Sequence, residues 1–443
     1  MSWLEISNKL IAITISCLIL YNGYVVRRRT GSWFVLGSLI CVFWFCFTFF
    51  PLVLLYRVPI NNFSLLYIAF GVFIFSWSHV FFDWKKVKKL KKQKFWLEKT
   101  NKSQWLFLIM FFVILSLVFS FSFLYFQENN ILDYFTKPVQ SAESLAKSRY
   151  SKTLVKTNYN AISFVFSNVS VLLGGVIYSV TKSKLYKLLA FLCFIPSLFT
   201  LVTQSAKGLF FLSLFIFFGS LIISTNNKNI LLFFKKNFKK LIVAFLFIPL
   251  LLVFSFLSRG LNYNSGLADI ISKLKFLFSS YILAHIYSFS DWFTAYTGGI
   301  ATREYDISNN YYGFYTFNFI TRHITDENRN VRGIYKEYFY YDDIIQTNVY
   351  TIFRGLIMDF NIFGSYLFIF FVGLLSHKLY HIYLYNKNNV FTFVVIIFLF
   401  SCFYMSFLSS LLYWTVIPLS FLLFYFILIT LKYVREGKTV AKK

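Results

Sequence analysis

Apolar runs long enough to cross a bilayer recur along almost the whole chain, and this recurrence restricts the fold more than any other feature. A spanning helix needs about 20 mostly apolar residues. Runs of that kind lie near residues 4–26, 33–55, 63–82, 105–126, 160–180, 184–203, 208–225, 240–258, 360–383, 390–410 and 411–431. With 58% hydrophobic, 23% aromatic and only 14% charged residues, no water-soluble fold has enough interior to hide this surface. The expected fold class is an all-α polytopic integral membrane protein with about 11 transmembrane helices. No repeat of 20 to 50 residues is evident, and no Gly- or Pro-interrupted pair of segments is placed alike in two halves. Both absences weigh against an inverted-repeat transporter.

The net charge of +27 would suit nucleic acid only if it formed a basic face on a soluble fold. Here the basic residues sit between the apolar runs, so no nucleic-acid partner is expected. Alternating the spans across the bilayer puts 27 of the 44 basic residues and three of the 17 acids on one side, a net charge of about +24 against +3. Lys and Arg near span ends mark the cytoplasmic face. The expected topology therefore has the N-terminus outside and the C-terminus cytoplasmic, in a bacterial inner membrane. The N-terminus lacks a basic n-region and an A-x-A site, so residues 10–26 read as a retained span. The basic run from Lys85 to Lys102 reads as a topogenic stop touching anionic lipid.

Three regions follow: residues 1–258 with eight spans; residues 259–348 as a large outer loop; residues 349–443 with a re-entrant segment, the last three spans and a basic tail. Segments 276–290 and 348–359 are apolar but short. If either alone spanned, the basic tail would face outward, so both are expected to be interfacial or re-entrant. The polar stretch 127–159 reads as a second lip of a site or as a connector.

Cys17, Cys41, Cys46, Cys193 and Cys402 all fall inside apolar runs, where cysteine acts as a small hydrophobe, so neither a disulfide framework nor a CxxC zinc site is legible. His377 and His381 have the i, i+4 spacing of zinc ligands but no third ligand beside them. Glu304 and Asp306 have a spacing that a divalent ion accepts, yet it arises readily by chance in an acid-rich loop. No metal and no cofactor are expected. His285 reads as a satisfied histidine on an apolar stretch, and His323 as a candidate acid or base in the polar loop. Cations near the bilayer carry more weight, because arginine at depth costs roughly 2.5 to 3.5 kcal/mol even on lenient insertion scales. Lys207, Arg259, Arg303 and Arg354 all stand at span ends or in re-entrant positions on the outer side, an arrangement suited to a membrane-anchored anion. Snorkelling interface anchors are the competing explanation.

Residues 347–375, TNVYTIFRGLIMDFNIFGSYLFIFFVGLL, carry a polar T-N-x-Y-T entry, an arginine, and an Asp-Phe pair leading into a span. In Thr347, Asn348, Tyr350, Thr351, Arg354, Asp359, Phe360 and Gly364 this segment resembles the Wzy-type oligosaccharide repeat-unit polymerases of bacterial O-antigen and capsule assembly. The glycine usual after Asp-Phe is replaced by Asn361, a residue that also accepts positive φ. Ser205, Ala206, Lys207 and Gly208 resemble a second family element in which arginine is commoner than lysine, and the span layout also agrees.

The resemblance implies a GT-C-like membrane glycosyltransferase that joins undecaprenyl-diphosphate-linked oligosaccharides. Membrane lipid and a chain-length regulator protein would be its further partners. It assigns Arg354, Lys207, Arg259 and Arg303 to the departing diphosphate, with Asn348 and Tyr350 at the motif entry. Asp359, His323 and Asp291 are alternatives for the base. Asp359 also reads as a buried ion-pair partner of Arg354, brought to it by a re-entrant break. Tyr311, Tyr312, Tyr315, Tyr335, Tyr338, Tyr340 and Tyr341 could stack on sugars or pack at the interface. The alternatives are a lipid-linked oligosaccharide flippase or other transporter, and an O-antigen ligase.

Overall fold

The computed structural model describes the chain apart from residues 1–2, 90–96, 98–100, 128–131, 151–153, 156, 205–206, 226–266, 309–310, 322–334 and 441–443. Among the described residues, nine helices are long and apolar enough to cross a membrane, and a shorter apolar helix covers Val390–Met405. They match ten of the eleven expected runs; the eleventh, 240–258, lies outside the described residues. The chain is thus an all-α multi-pass membrane protein by the length and composition of its helices.

Contacts divide the chain into two interleaved units. The first comprises Met1–Lys92, Ser272–Asn386 and Cys402–Thr415. Its helices α1 (Trp3–Thr30), α2 (Leu36–Leu54) and α3 (Asn62–Trp77) pack together. The α2 helix contains Pro51, which has no N–H and so leaves the Phe47 carbonyl without its helical donor. His285 fills that gap, with Nε2 at 2.9 Å from the Phe47 oxygen. The Tyr287 hydroxyl donates nearby to the Pro51 and Leu55 carbonyls, and Lys9 Nζ donates to the Val58 oxygen at 2.7 Å. A break in one helix therefore becomes the docking point of another.

That docked element covers the short 276–290 run. A π-helical turn, Ser279–Leu283, leads into a helix His285–Tyr296 whose residues His285 to Ser290 are all buried. The run is short because protein encloses it, packed against α2 and α3. Asn61, the cap of α3, binds it through Ser290 and Thr294. Within the expected segment 348–359 the chain forms a short helix from Ile352, which is set off from the span that follows by a kink at Asn361, where φ is 60° and ψ 178°. His377 is enclosed in this unit and satisfied: Nε2 accepts the Gly37 N–H, and Nδ1 lies against Ser78 Oγ and the Gly373 carbonyl. His381 is 3.3 Å from the Asp83 carbonyl, so the i, i+4 pair is spent on helix packing.

The second unit comprises Gln93–Ile271, Lys387–Ser401 and Val416–Lys443. Its helices Lys102–Tyr125 and Tyr159–Val180 approach closely through small residues, with Ser116, Ser120 and Ser163 sharing hydroxyl hydrogen bonds. Gly175 permits a similar approach, since a Cβ there would lie 2.4 Å from the Phe217 carbonyl oxygen. The polar stretch after residue 131 forms two helices, Asp133–Thr136 and Pro138–Tyr150.

Candidate anion site around Arg354

The site begins in a two-stranded hairpin, β1 (Phe339–Tyr341) paired antiparallel with β2 (Ile345–Thr347). Asp342, at φ 42°, makes its turn. Alternation along the strand turns Phe339 inward, and the same period carries Glu337 and Tyr335 toward the interior while Lys336, Tyr338 and Tyr340 face out. The π-turn and the following helix hold the hairpin exit: Ser280 Oγ accepts the Gln346 N–H, and Ser288 Oγ donates to the Val349 carbonyl. The chain then runs extended through Thr351 into the helix that begins at Ile352, whose N–H donates to the Ser406 carbonyl.

Arg354, in the first turn of that helix, is 0% exposed. The Tyr335 and Tyr350 ring centroids lie 4.1 and 4.3 Å from its Cζ, with Trp292 at 5.2 Å and Tyr305 at 5.8 Å. Cation–π contacts of this kind reach about 2 kcal/mol when desolvated. Arg354 Nη2 donates to Glu337 Oε1 at 3.0 Å, and the same oxygen accepts the Asp306 N–H at 3.0 Å. Backbone links close the cage: Trp292 Nε1 donates to the Asp306 carbonyl, and Tyr350 OH to the Glu337 carbonyl. Arg354 Nε and Nη1 are buried and have no hydrogen-bond partner among the described residues. A buried cation with unused donors carries a substantial desolvation cost, and such donors are rare.

Asp359 does not pair with Arg354. Five residues along a helix of 3.6 per turn is a rotation of about 140°, so the two side chains leave on different faces. The Asp359 carboxylate turns to the 313–316 turn, where it accepts Thr316 N–H and Oγ1–H at 2.7 Å each and Tyr315 N–H at 3.2 Å. This clamp holds Tyr315 stacked on Tyr335 at 5.2 Å. Gly355 makes room beneath: a Cβ there would meet Tyr315 Cβ at 2.9 Å and Tyr335 OH at 3.2 Å. Asp359 and Gly355 thus fix the aromatic roof.

Burial pushes the Tyr335 and Tyr315 hydroxyls well above the ordinary tyrosine range, although the Arg354 charge pulls the other way. Burial likewise raises Tyr350, to about 12, against the same opposing charge. These hydroxyls stay protonated at neutral pH and face the cation as neutral rings. Burial raises Asp306 too, but hydrogen bonds from Ser308 and Tyr311 and the Arg354 charge outweigh it and hold the carboxyl below its usual value. With its carboxylate spent on Ser308 and Tyr311, Asp306 has a local role, and Glu304 beside it is exposed. Among the described residues no group of three His, Cys, Asp or Glu side chains is placed to hold a metal.

The remaining candidates are spread out. Asp291 accepts from Thr302 N–H and Oγ1–H and from Tyr305 OH, so it positions one wall of the cage. Arg303 is exposed and stacks on Tyr340 at 4.0 Å, on the outer face of the hairpin. Asn348 is half-buried between β2 and Tyr350. Lys207 opens the helix Lys207–Ser224 of the second unit. Arg259 and His323 lie outside the described residues. Sequence reasoning missed Glu337, Trp292 and Tyr305. For Glu337 a signal existed: it is two residues from the inward Phe339, on the same strand face. Comparison with protein-family models, with curated proteins and with solved structures found no match.

Proposed function

We propose that this chain is a GT-C-like glycosyltransferase of the bacterial cytoplasmic membrane that joins undecaprenyl-diphosphate-linked oligosaccharide repeat units into O-antigen or capsular polysaccharide. The observation that carries the reading is Arg354: a fully buried guanidinium with two unused nitrogens, inside the segment that resembles the repeat-unit polymerases. In this reading residues 259–348 lie on the outer face, where lipid-linked repeats are presented, and the basic tail is cytoplasmic.

The reaction forms a bond between an acceptor hydroxyl oxygen and the anomeric carbon of the donor. The anomeric C–O bond to the diphosphate breaks, and its electron pair leaves with the diphosphate. Negative charge grows on the leaving group, so a pre-positioned guanidinium in a water-poor cage lowers the barrier more than a solvated one would. The hydroxyl proton passes to a base, for which Asp291, Asp359 and His323 are the alternatives; the Asp291 and Asp359 carboxylates each already accept three hydrogen bonds.

Purified protein supplied with a lipid-linked repeat unit should produce a ladder of glycan lengths. Arg354→Lys keeps a charge but removes the planar fork, and should abolish the ladder in protein that still purifies folded. Translocation of the lipid in liposomes without any ladder would overturn the proposal.

A further inference from the structure

Guanidinium geometry gives the Glu337 contact a consequence. An arginine binds an oxyanion through two parallel N–H bonds, either side-on by Nε and Nη2 or end-on by Nη1 and Nη2. Both forks include Nη2, because Nη1 lies on the Cδ side, away from Nε–H. In this protein Glu337 Oε1 takes Nη2, while Nε and Nη1 are left unpartnered. Nη2 offers a different hydrogen to each fork, so this one carboxylate oxygen occupies one bidentate mode without completing it and offsets the charge of the guanidinium.

The two carboxylates near the cage differ in how firmly they are held. Asp359 is 5% exposed and accepts three hydrogen bonds. The Glu337 side chain is 22% exposed, and its hydrogen bonds use Oε1 alone, shared between Arg354 Nη2 and the Asp306 N–H. Tyr335 and Tyr350 close on the guanidinium, and Glu337 is the ion-pair member that reaches solvent. An entering oxyanion therefore meets Glu337 first.

We infer that Glu337 is an internal anion occupying the Arg354 site, which a phosphoryl oxyanion of the substrate displaces from Nη2 to gain a two-point contact. This rests on the proposed reading of Arg354 as the diphosphate contact and adds the residue that sets its affinity. Once displaced, the Glu337 side chain moves to water through its exposed edge. The Asp306 N–H released at the same moment becomes a further donor at the mouth of the site.

The test uses full-length protein in detergent and two probes, inorganic pyrophosphate and farnesyl diphosphate, with affinities read by calorimetry. Glu337→Gln keeps an oxygen for the Asp306 N–H but removes the competing charge, and should bind pyrophosphate at least tenfold tighter than wild type. Glu337→Asp keeps the charge but shortens its reach, so it should give a smaller gain of the same sign and serves if the Gln variant fails to fold. Arg354→Lys in either background should remove the gain. A stronger gain for farnesyl diphosphate than for pyrophosphate assigns the anion to a lipid headgroup; equal gains assign it to the phosphate groups alone. Equal or weaker pyrophosphate binding by Glu337→Gln, with wild type binding normally, overturns the role of Glu337 and leaves the Arg354 site standing. Failure of both proteins to bind either probe, or binding unaffected by Arg354→Lys, overturns both.

Discussion

Substitution of Asp359 separates a brace from a catalytic base. In the structure its carboxylate collects Thr316 N–H, Thr316 Oγ1–H and Tyr315 N–H in a buried position. Asp359→Ala strands three donors, and at about 1 kcal/mol or more for each the loss is about 3 to 5 kcal/mol. Asp359→Asn is milder. Its amide oxygen can retain both Thr316 donors, while the amide nitrogen then faces the Tyr315 N–H, donor against donor, for about 1 to 2 kcal/mol. Thr316→Val removes one charge-assisted bond and should cost about 1.5 to 3 kcal/mol. In a double-mutant cycle the Asp359→Asn and Thr316→Val changes should be less than additive, since they weaken the same contact. The assay is thermal unfolding of detergent-purified protein beside the glycan ladder. Wild type should be the most stable, Asp359→Asn and Thr316→Val intermediate, and Asp359→Ala the least stable, with ladder yield following the same order. Loss of the ladder in Asp359→Asn at an unchanged unfolding temperature would refute the brace and make the carboxylate catalytic.

The legible parts of this fold are those where one physical requirement dominates. Span positions follow from apolar length, and a left-handed residue at 361 follows from an asparagine standing after Asp-Phe. Arg354 stands out because a charge inside an apolar stretch needs a reason. Its partner does not. Glu337 lies 17 positions upstream across a hairpin, and nothing in local spacing links it to Arg354. The expected Arg354–Asp359 pairing fails because the helix runs unbroken from 352 to 360, and its first irregular residue comes after Asp359 rather than between the two. Length alone does not say what the helix at 285–296 packs against, and Pro51 supplies the missing information. A carbonyl deprived of its donor in one helix specifies a polar side chain on a neighbour, and that is a tertiary fact.

Two further substitutions test how the roof and the helix break are built. Gly355→Ala should cost about 1 to 3 kcal/mol by overpacking, because its Cβ would sit 2.9 Å from Tyr315 Cβ. The displaced Tyr315–Tyr335 stack should shorten the glycan ladder; wild-type stability and ladder in this variant would show that the roof is loose. Asn361 occupies φ 60° and ψ 178°, a region that is essentially glycine-only and costs other residues about 1 to 3 kcal/mol. Asn361→Gly relieves that strain but loses about 1 kcal/mol to the freer unfolded chain, so the net gain is about 0 to 2 kcal/mol, whereas Asn361→Ala should unfold earlier than wild type. An alanine variant as stable as wild type would refute the strained geometry. The break also has a use that follows from length: residues 362–385 alone, at 1.5 Å per residue, extend about 36 Å and already exceed a hydrocarbon core of about 30 Å. The turns from Ile352 to Phe360 are therefore surplus to crossing, and the kink lets them be aimed by the cage around Arg354 instead of by the axis of the span.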